Sequence, residues 1–371
     1  MVRFSQRKGF PSLSAASLAA ATLFALGGAA QAAENGLQRY SPGIGGSDMT
    51  APLVPGWYVQ VPLVHYHASK LKGGDRDQAT AATPTPTTVT PLGTVPAQPN
   101  LRSRIGVSAD TYALLPRLTY LSPTRVLGAN IGFTAMLPLV NRQAKFTASP
   151  IYEGSTVPAL AQPLFTANIN QSLSASQNGN ESGIGDLELS PLFHWEIGDN
   201  QAVTVAPTVV LPTGKYDVRR RVNPGFGKYY TFRPSVQYSF IGDGWDVGVR
   251  GIFSFNTRNK DNGYYSGNMF NIDWQAMAFV SDDIRVGLQG YFVRQLSKDT
   301  QDLSGFSASE REVLRKEILN GNKSSVNAVG PAMGWIMNGG EMMLEGKFLQ
   351  EFGARNRTEG QAFWLTVSKP L

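Results

Sequence analysis

Lys228 to Phe240 reads KYYTFRPSVQYSF, and Gly244 to Asn256 reads GWDVGVRGIFSFN. In the first stretch Tyr230, Phe232, Val236, Tyr238 and Phe240 share one side, while Thr231, Arg233, Ser235, Gln237 and Ser239 share the other. The second sets Trp245, Val247, Val249, Phe253 and Phe255 against Asp246, Arg250, Ser254 and Asn256. Side chains alternate across a strand, so a strict period of two marks strands with one apolar and one hydrated face. The link Ile241-Gly242-Asp243-Gly244 is rich in turn formers, so the two form a hairpin.

The pattern repeats outward along the chain. About twelve strands are expected, near 55–68, 104–120, 125–140, 184–197, 201–212, 228–240, 244–256, 268–280, 284–297, 326–338, 341–353 and 358–371. Short links at 121–124, 198–200, 241–244, 281–283 and 338–340 alternate with long ones at 69–103, 141–183, 213–227, 257–267 and 298–325. An even strand number, tight turns at one end and long loops at the other describe an antiparallel transmembrane β-barrel of the outer membrane of a Gram-negative bacterium, with both termini periplasmic. Phe363, Leu365, Val367 and Leu371 fall in phase, as expected where the last strand closes the barrel. Composition agrees, since 39 glycines and 23 prolines punctuate short segments and no amphipathic helical run exceeds about three turns.

The N-terminus suits export. Arg3, Arg7 and Lys8 precede an apolar run from Leu13 to Ala30, and Ala30-Gln31-Ala32 has the small-x-small form of a cleavage site, so residues 1–32 read as a signal peptide. Residues 33–54, broken by Gly36, Pro42-Gly43, Gly45-Gly46 and Pro52, read as a periplasmic lead-in or a lumen plug, the former being preferred. Residues 55–371 are the barrel. The net charge of +6 drops when the leader's three cations leave, too small a balance to argue for nucleic acid. Without cysteine there is no lipidation or disulfide.

Strand phase assigns inward positions. Lumen-lining candidates are Arg117, Glu188, His194, Arg233, Asp246, Arg250, Asp273, Arg285, Glu345 and Lys347, and such mixed charges more often form a structural lattice than an ion filter. On the long loops Tyr216, Phe226, Tyr229, Tyr230, Tyr264 and Tyr265 are candidate mouth aromatics, or members of an interfacial girdle. The Thr/Pro/Ala-rich stretch 77–100 reads as a disordered or extended surface loop. Ser307 and Glu310 have capping-box spacing before Val313, Leu314 and Ile318, predicting a helix over 307–320.

No catalytic constellation, metal site or cofactor site stands out. The three histidines, His65, His67 and His194, lack metal-ligand spacing. His67 and Ser69 share a strand face, which an outer-membrane hydrolase could use, although an ordinary strand-end pair is the better reading. Leu211-Pro212-Thr213-Gly214-Lys215 lacks the full spacing of a phosphate loop.

That same run, continued by Tyr216-Asp217, Asn223-Pro224-Gly225 and the strand to Phe240, resembles the family named "Putative MetA-pathway of phenol degradation". Glu34-Asn35-Gly36, Tyr40, Pro42-Gly43, Pro55-Gly56-Trp57-Tyr58 and Phe363-Trp364-Leu365 to Pro370-Leu371 are similar to that family's ends. The resemblance implies an outer-membrane barrel linked with the breakdown of aromatic or other hydrophobic compounds, and it supplies no catalytic residues. The expected function is passive uptake of small hydrophobic solutes, aromatic ones among them; the alternatives are an outer-membrane hydrolase and a non-conducting structural barrel. Expected partners are outer-membrane lipid and lipopolysaccharide, the outer-membrane assembly machinery and the solute itself.

Overall fold

The structure, a computed structural model, describes residues 38–49, 54–90, 93–304, 308, 311 and 323–371. The signal segment 1–32 and, apart from two positions, the helix expected over 307–320 lie outside the described residues. Among the described residues no helix is long and apolar enough to cross a membrane, and the crossing is made by strands.

Twelve antiparallel staves close into a barrel. They are β1 (Gly56–Lys72), β2 (Arg102–Leu114 and Arg117–Val126), β3 (Ala129–Met136 and Leu139–Ile151), β4 (Gly179–Ile184 and Glu188–Ile197), β5 (Gln201–Val210) and β6 (Thr231–Gly242). The rest are β7 (Trp245–Asn256), β8 (Met269–Phe279), β9 (Ile284–Gln295), β10 (Ser325–Met337), β11 (Met342–Arg355) and β12 (Arg357–Pro370). Each pairs with its chain neighbour, and β12 pairs with β1 from Tyr58↔Pro370 to Lys72↔Arg357. Closure leaves no free edge to aggregate and satisfies the backbone inside the bilayer.

Three adjacent staves bend at one level, at Leu115-Pro116, Leu137-Pro138 and Gly185-Asp186-Leu187. Proline donates no ladder hydrogen bond, which is why β2 and β3 break there. The wall is nonetheless stitched across the bend: Leu115 N donates to Pro62 O at 2.8 Å, Leu137 N to Pro116 O at 3.2 Å and Gly185 N to Pro138 O at 2.7 Å.

The decisive hairpin pairs Gln237 with Arg250 and Tyr238 with Val249, turning at Asp243 (φ 53°) and Gly244 (φ 78°). Two positive φ values are what a two-residue turn matched to strand twist requires. The β2–β3 turn does not fall at 121–124. There the strand runs on through a register shift between Leu121 and Arg125, which accommodates Pro123, and the chain reverses at Leu127 (φ 53°) and Gly128 (φ 82°). A leucine in that conformation carries no turn signal in sequence.

The described residues of 77–100, read as a disordered or extended loop, include short paired strands. Thr80–Ala82 pairs with Arg102–Arg104, and Thr88–Thr90 pairs with Gly93–Val95. The connection after β3, expected to be loop, contains helix α1 (Gln162–Gln177). It buries Phe165, Ile169 and Leu173 at four-residue spacing. It also covers the upper edge of β3, where Asn170 accepts from Ala148 N and donates to Ala148 O, both at 2.8 Å. Polar side chains thus pair an edge that no strand reaches.

The outer face carries the apolar set. Val236, Val249, Leu288, Met333 and Phe363 are exposed around the belt. Trp57, Trp245 and Trp335, also exposed, stand at the short-turn end, as an interfacial girdle does. The barrel is an outer-membrane barrel.

Candidate functional site

The lumen is occupied from within the same chain. Residues 38–49 descend through it, starting near the long-loop end where Arg39 is held. The Arg39 guanidinium lies 3.8 Å from the Tyr229 ring, donates to the carbonyls of Tyr229 and Gly227, and pairs with Asp186 at 3.1 Å. Lower down, Asp273 accepts from the Tyr40 hydroxyl at 2.6 Å, Gly43 N at 3.1 Å and Gly45 N at 2.9 Å. Glycine is needed here: a Cβ on Gly45 would stand 2.9 Å from the Asp273 Cβ, and Gly43 combines a φ of 85° with contact to Leu349. At the bottom Asp48 pairs with Arg117 at 2.6 Å and Arg250 at 2.7 Å.

Charges on the inner wall of β7 to β11 are tied to one another. Arg285 bridges Asp246 and Glu345, the latter at 2.6 Å. Lys347 donates to Gln289 at 2.7 Å and to the Gly45 carbonyl, and Gln275 donates to Asp246 at 2.7 Å. Every one of these charges has a partner, which is what allows it to lie buried. Arg233 pairs with Glu188 and stacks near Tyr40, and His194 Nδ1 meets Thr204 Oγ1 at 2.8 Å.

The opposite wall is different. Val64, Ala113, Leu115, Met136, Val140 and Trp364, contributed by β1, β2, β3 and β12, surround a cavity of about 130 Å³ roofed on one side by Gln38 to Pro42. Its row is set by register: Trp364 faces Val64, Val64 faces Ala113, and Ala113 faces Val140. Around the apolar patch stand Tyr66, Arg142, Asp186, Phe226, Tyr291 and Glu351. Tyr66 and Tyr291 both donate to Glu351, each at 2.8 Å.

The ten lumen-lining candidates therefore sit on the inner wall. Asp246, Arg285, Glu345 and Lys347 form one cluster; Arg117 and Arg250 meet on Asp48; Asp273 holds the lumenal segment; Glu188 and Arg233 pair; His194 stands apart. The six loop aromatics are not brought together. Phe226 lines the cavity under the Arg142 guanidinium, 4.4 Å from its ring, and Tyr229 clamps Arg39. Tyr230 is exposed on the outer face, Tyr264 donates to Asp299 at 2.7 Å, Tyr265 to Asn268 at 2.8 Å, and the Tyr216 hydroxyl accepts from Asn259 at 3.2 Å. Near Tyr216, hydrogen bonds from Arg219 hold the Asp217 carboxyl below its ordinary range.

Of the cavity's lining the sequence singled out Glu188 and Phe226, while its apolar row and Arg142 went unnoticed. Trp364 alternates with outward Phe363 and so had the phase of an inward residue. Arg142 fell in a stretch read as loop. His65 and His67 both contact Asp110 on the half-exposed outer side of β1 and β2, at 3.1 and 2.9 Å, and among the described residues no hydrogen bond joins His67 to Ser69.

Comparison with solved structures finds an outer-membrane channel of Pseudomonas putida F1, 12% identical, covering 88% of this chain and 100% of that one with a TM-score of 0.60. The shared architecture is the fold. Lower similarity is found to the translocator domain of the autotransporter NalP from Neisseria meningitidis, 8% identical over 88% of this chain and 92% of that one, TM-score 0.43. The CymD monoaromatic hydrocarbon channel matches at 8% identity over 92% of this chain and 98% of that one, TM-score 0.38. None of the curated proteins matches the chain. Residues 78–367, most of the chain, match the family "Putative MetA-pathway of phenol degradation", and the protein belongs to that family.

Proposed function

We propose that this barrel passes small hydrophobic solutes, single-ring aromatics among them, across the outer membrane by binding and diffusion, without chemical turnover. The observation that carries this is the apolar cavity against β1, β2, β3 and β12. Its volume of about 130 Å³ is close to that of the roughly 150 Å³ engineered apolar cavity that admits benzene. The family's link to phenol degradation and the shared fold with the Pseudomonas channel support the same reading.

A solute entering from the long-loop end reaches a cavity that Phe226 helps to line. Below it, Tyr40 to Met49 fill the lumen, so axial exit requires that this segment shift. Its hold combines discrete polar contacts with the packing of Tyr40 and Ile44 into the barrel's apolar cluster. The hydrolase alternative needs Ser69 activated by His67, whose ring is instead turned to Asp110. We place the apolar outer belt against lipid and lipopolysaccharide, and read β12 as the segment engaged by the assembly machinery.

Whole cells with intact lipopolysaccharide test the proposal. A deletion strain is expected to take up labelled phenol and benzoate more slowly than the complemented strain at low concentration, with no difference for a simple sugar. Equal uptake of every aromatic with and without the protein overturns it in favour of a structural barrel. Lipid hydrolysis by the purified protein, lost in Ser69→Ala, would establish the enzyme instead.

A further inference from the structure

The polar groups around the apolar cavity divide into two kinds. Its carboxylates are already engaged. Asp186 accepts from Gly214 N at 2.9 Å and Phe226 N at 3.1 Å and pairs with Arg39 at 3.1 Å. Glu188 is paired with Arg233. Glu351 accepts from Tyr66, Tyr291 and Gly360 N, each at 2.8 Å, and pairs with Arg357 at 3.4 Å.

What remains open among the described residues is mostly donors: besides Gln38, whose amide nitrogen and amide oxygen are both unpartnered, it is an indole and a guanidinium. Trp364 is 2% exposed and lines the cavity, yet its Nε1–H has no hydrogen-bond partner among the described residues. The half-buried Arg142 lines the same space, donates to Asn223 O at 2.8 Å and lies over Phe226, while its Nε is buried without a partner among the described residues. Among the described residues no carboxylate lies within ion-pair distance of it. Its strand partner Glu181 is taken by Lys215 at 2.8 Å and by Arg220. Indole and guanidinium are donor-only groups. They stand at the two ends of the inward row Trp364, Val64, Ala113, Val140, from which Arg142 is two residues further along β3 on the same face.

Resting on the channel reading above, we propose that the cavity selects aromatic carboxylates over aromatic hydrocarbons, the ring lying on Val64, Ala113 and Val140 and the carboxylate turned to Arg142, with the Trp364 Nε1–H offered to any second oxygen on the ring. A hydrocarbon ring fills the same apolar space and leaves both donors unanswered, whereas an aryl carboxylate supplies an acceptor and a counter-charge in direct contact with Arg142, which Asp186 reaches only from beyond ion-pair distance. A small aliphatic acid offers the charge and no ring.

The test is titration of the purified full chain in detergent with benzoate, 4-hydroxybenzoate, toluene and acetate, followed by calorimetry. Wild type is expected to bind benzoate at least about tenfold more tightly than toluene or acetate. Arg142→Met should erase that preference while toluene binding stays, and Arg142→Lys should restore part of it. Trp364→Phe keeps a ring in place and should lower affinity for 4-hydroxybenzoate more than for benzoate. Heat-modifiable migration confirms that each variant is folded. Equal affinity for benzoate and toluene in wild type, or an unchanged preference in folded Arg142→Met, overturns the inference and leaves the channel reading standing; binding of no aromatic at all overturns both.

Discussion

Asp48 and Arg250, 202 positions apart in the chain, form an ion pair of 2.7 Å inside the barrel. The same carboxylate takes Arg117 from β2, across the lumen, at 2.6 Å. One side chain thus ties the lumenal segment to two facing walls, and Asp48→Asn should loosen it. The substitution leaves two largely buried guanidinium groups without a counter-charge, a loss on the order of 3 kcal/mol. Single-channel conductance should rise towards that of a variant lacking residues 38–49, with heat-modifiable migration retained. Conductance equal to wild type would mean that the holds at Arg39, Asp273 and Lys347 suffice without Asp48.

Val249 sits on the outer face between Tyr238 and Trp274, and its neighbour Arg250 points inward. Val249→Arg places a charge in the hydrocarbon and should cost about 2–4 kcal/mol near the midplane. Val249→Leu should assemble normally. Denaturant unfolding in lipid vesicles measures the difference, and similar midpoints for the two variants would contradict the assigned face.

Orientation follows from loop length. A protease site placed in the Thr88–Val95 hairpin is expected to be cut on whole cells, and one placed at Asp243 only after the outer membrane is opened. The opposite pattern inverts the barrel.

The staves from β5 to β12 were legible because one face must meet lipid and the other polar groups, so their alternation is continuous: Thr231 to Gly242 and Trp245 to Asn256 differ from the expected spans by a few residues at most. From β2 to β4 the same logic weakened. Pro116 and Pro138 interrupt the ladder, and the bulge at Leu121 to Arg125 resets the phase. Above the membrane the strands continue to Ile151 with polar, loop-like composition, and α1 hides behind a serine- and asparagine-rich sequence whose apolar stripe is only Phe165, Ile169 and Leu173. Residues 38–49 were harder still. Nothing in a run of glycine and proline says what it touches; the contacts come from Asp273, Lys347 and Arg250, distant in sequence and side by side only once the barrel closes. The cavity was missed for the same reason, since four strands from the chain's two ends build it.

The most direct trial of the cavity is to fill it. Ala113 is buried on the inner face of β2, in register with Val64 on one side and Val140 on the other. A phenylalanine there projects into the space between those residues and Trp364. Overpacking should cost about 1–3 kcal/mol, which a closed barrel tolerates because the added ring can rotate into the void instead of into the wall. Ala113→Phe should therefore assemble and still show heat-modifiable migration, while uptake of phenol and benzoate by whole cells falls to the level of the deletion strain. The outward control, Val236→Phe, adds a ring on the lipid side and should leave uptake unchanged. If folded Ala113→Phe transports aromatics as fast as wild type, the solute does not pass through this cavity, and the route must lie along the charged wall of β7 to β11.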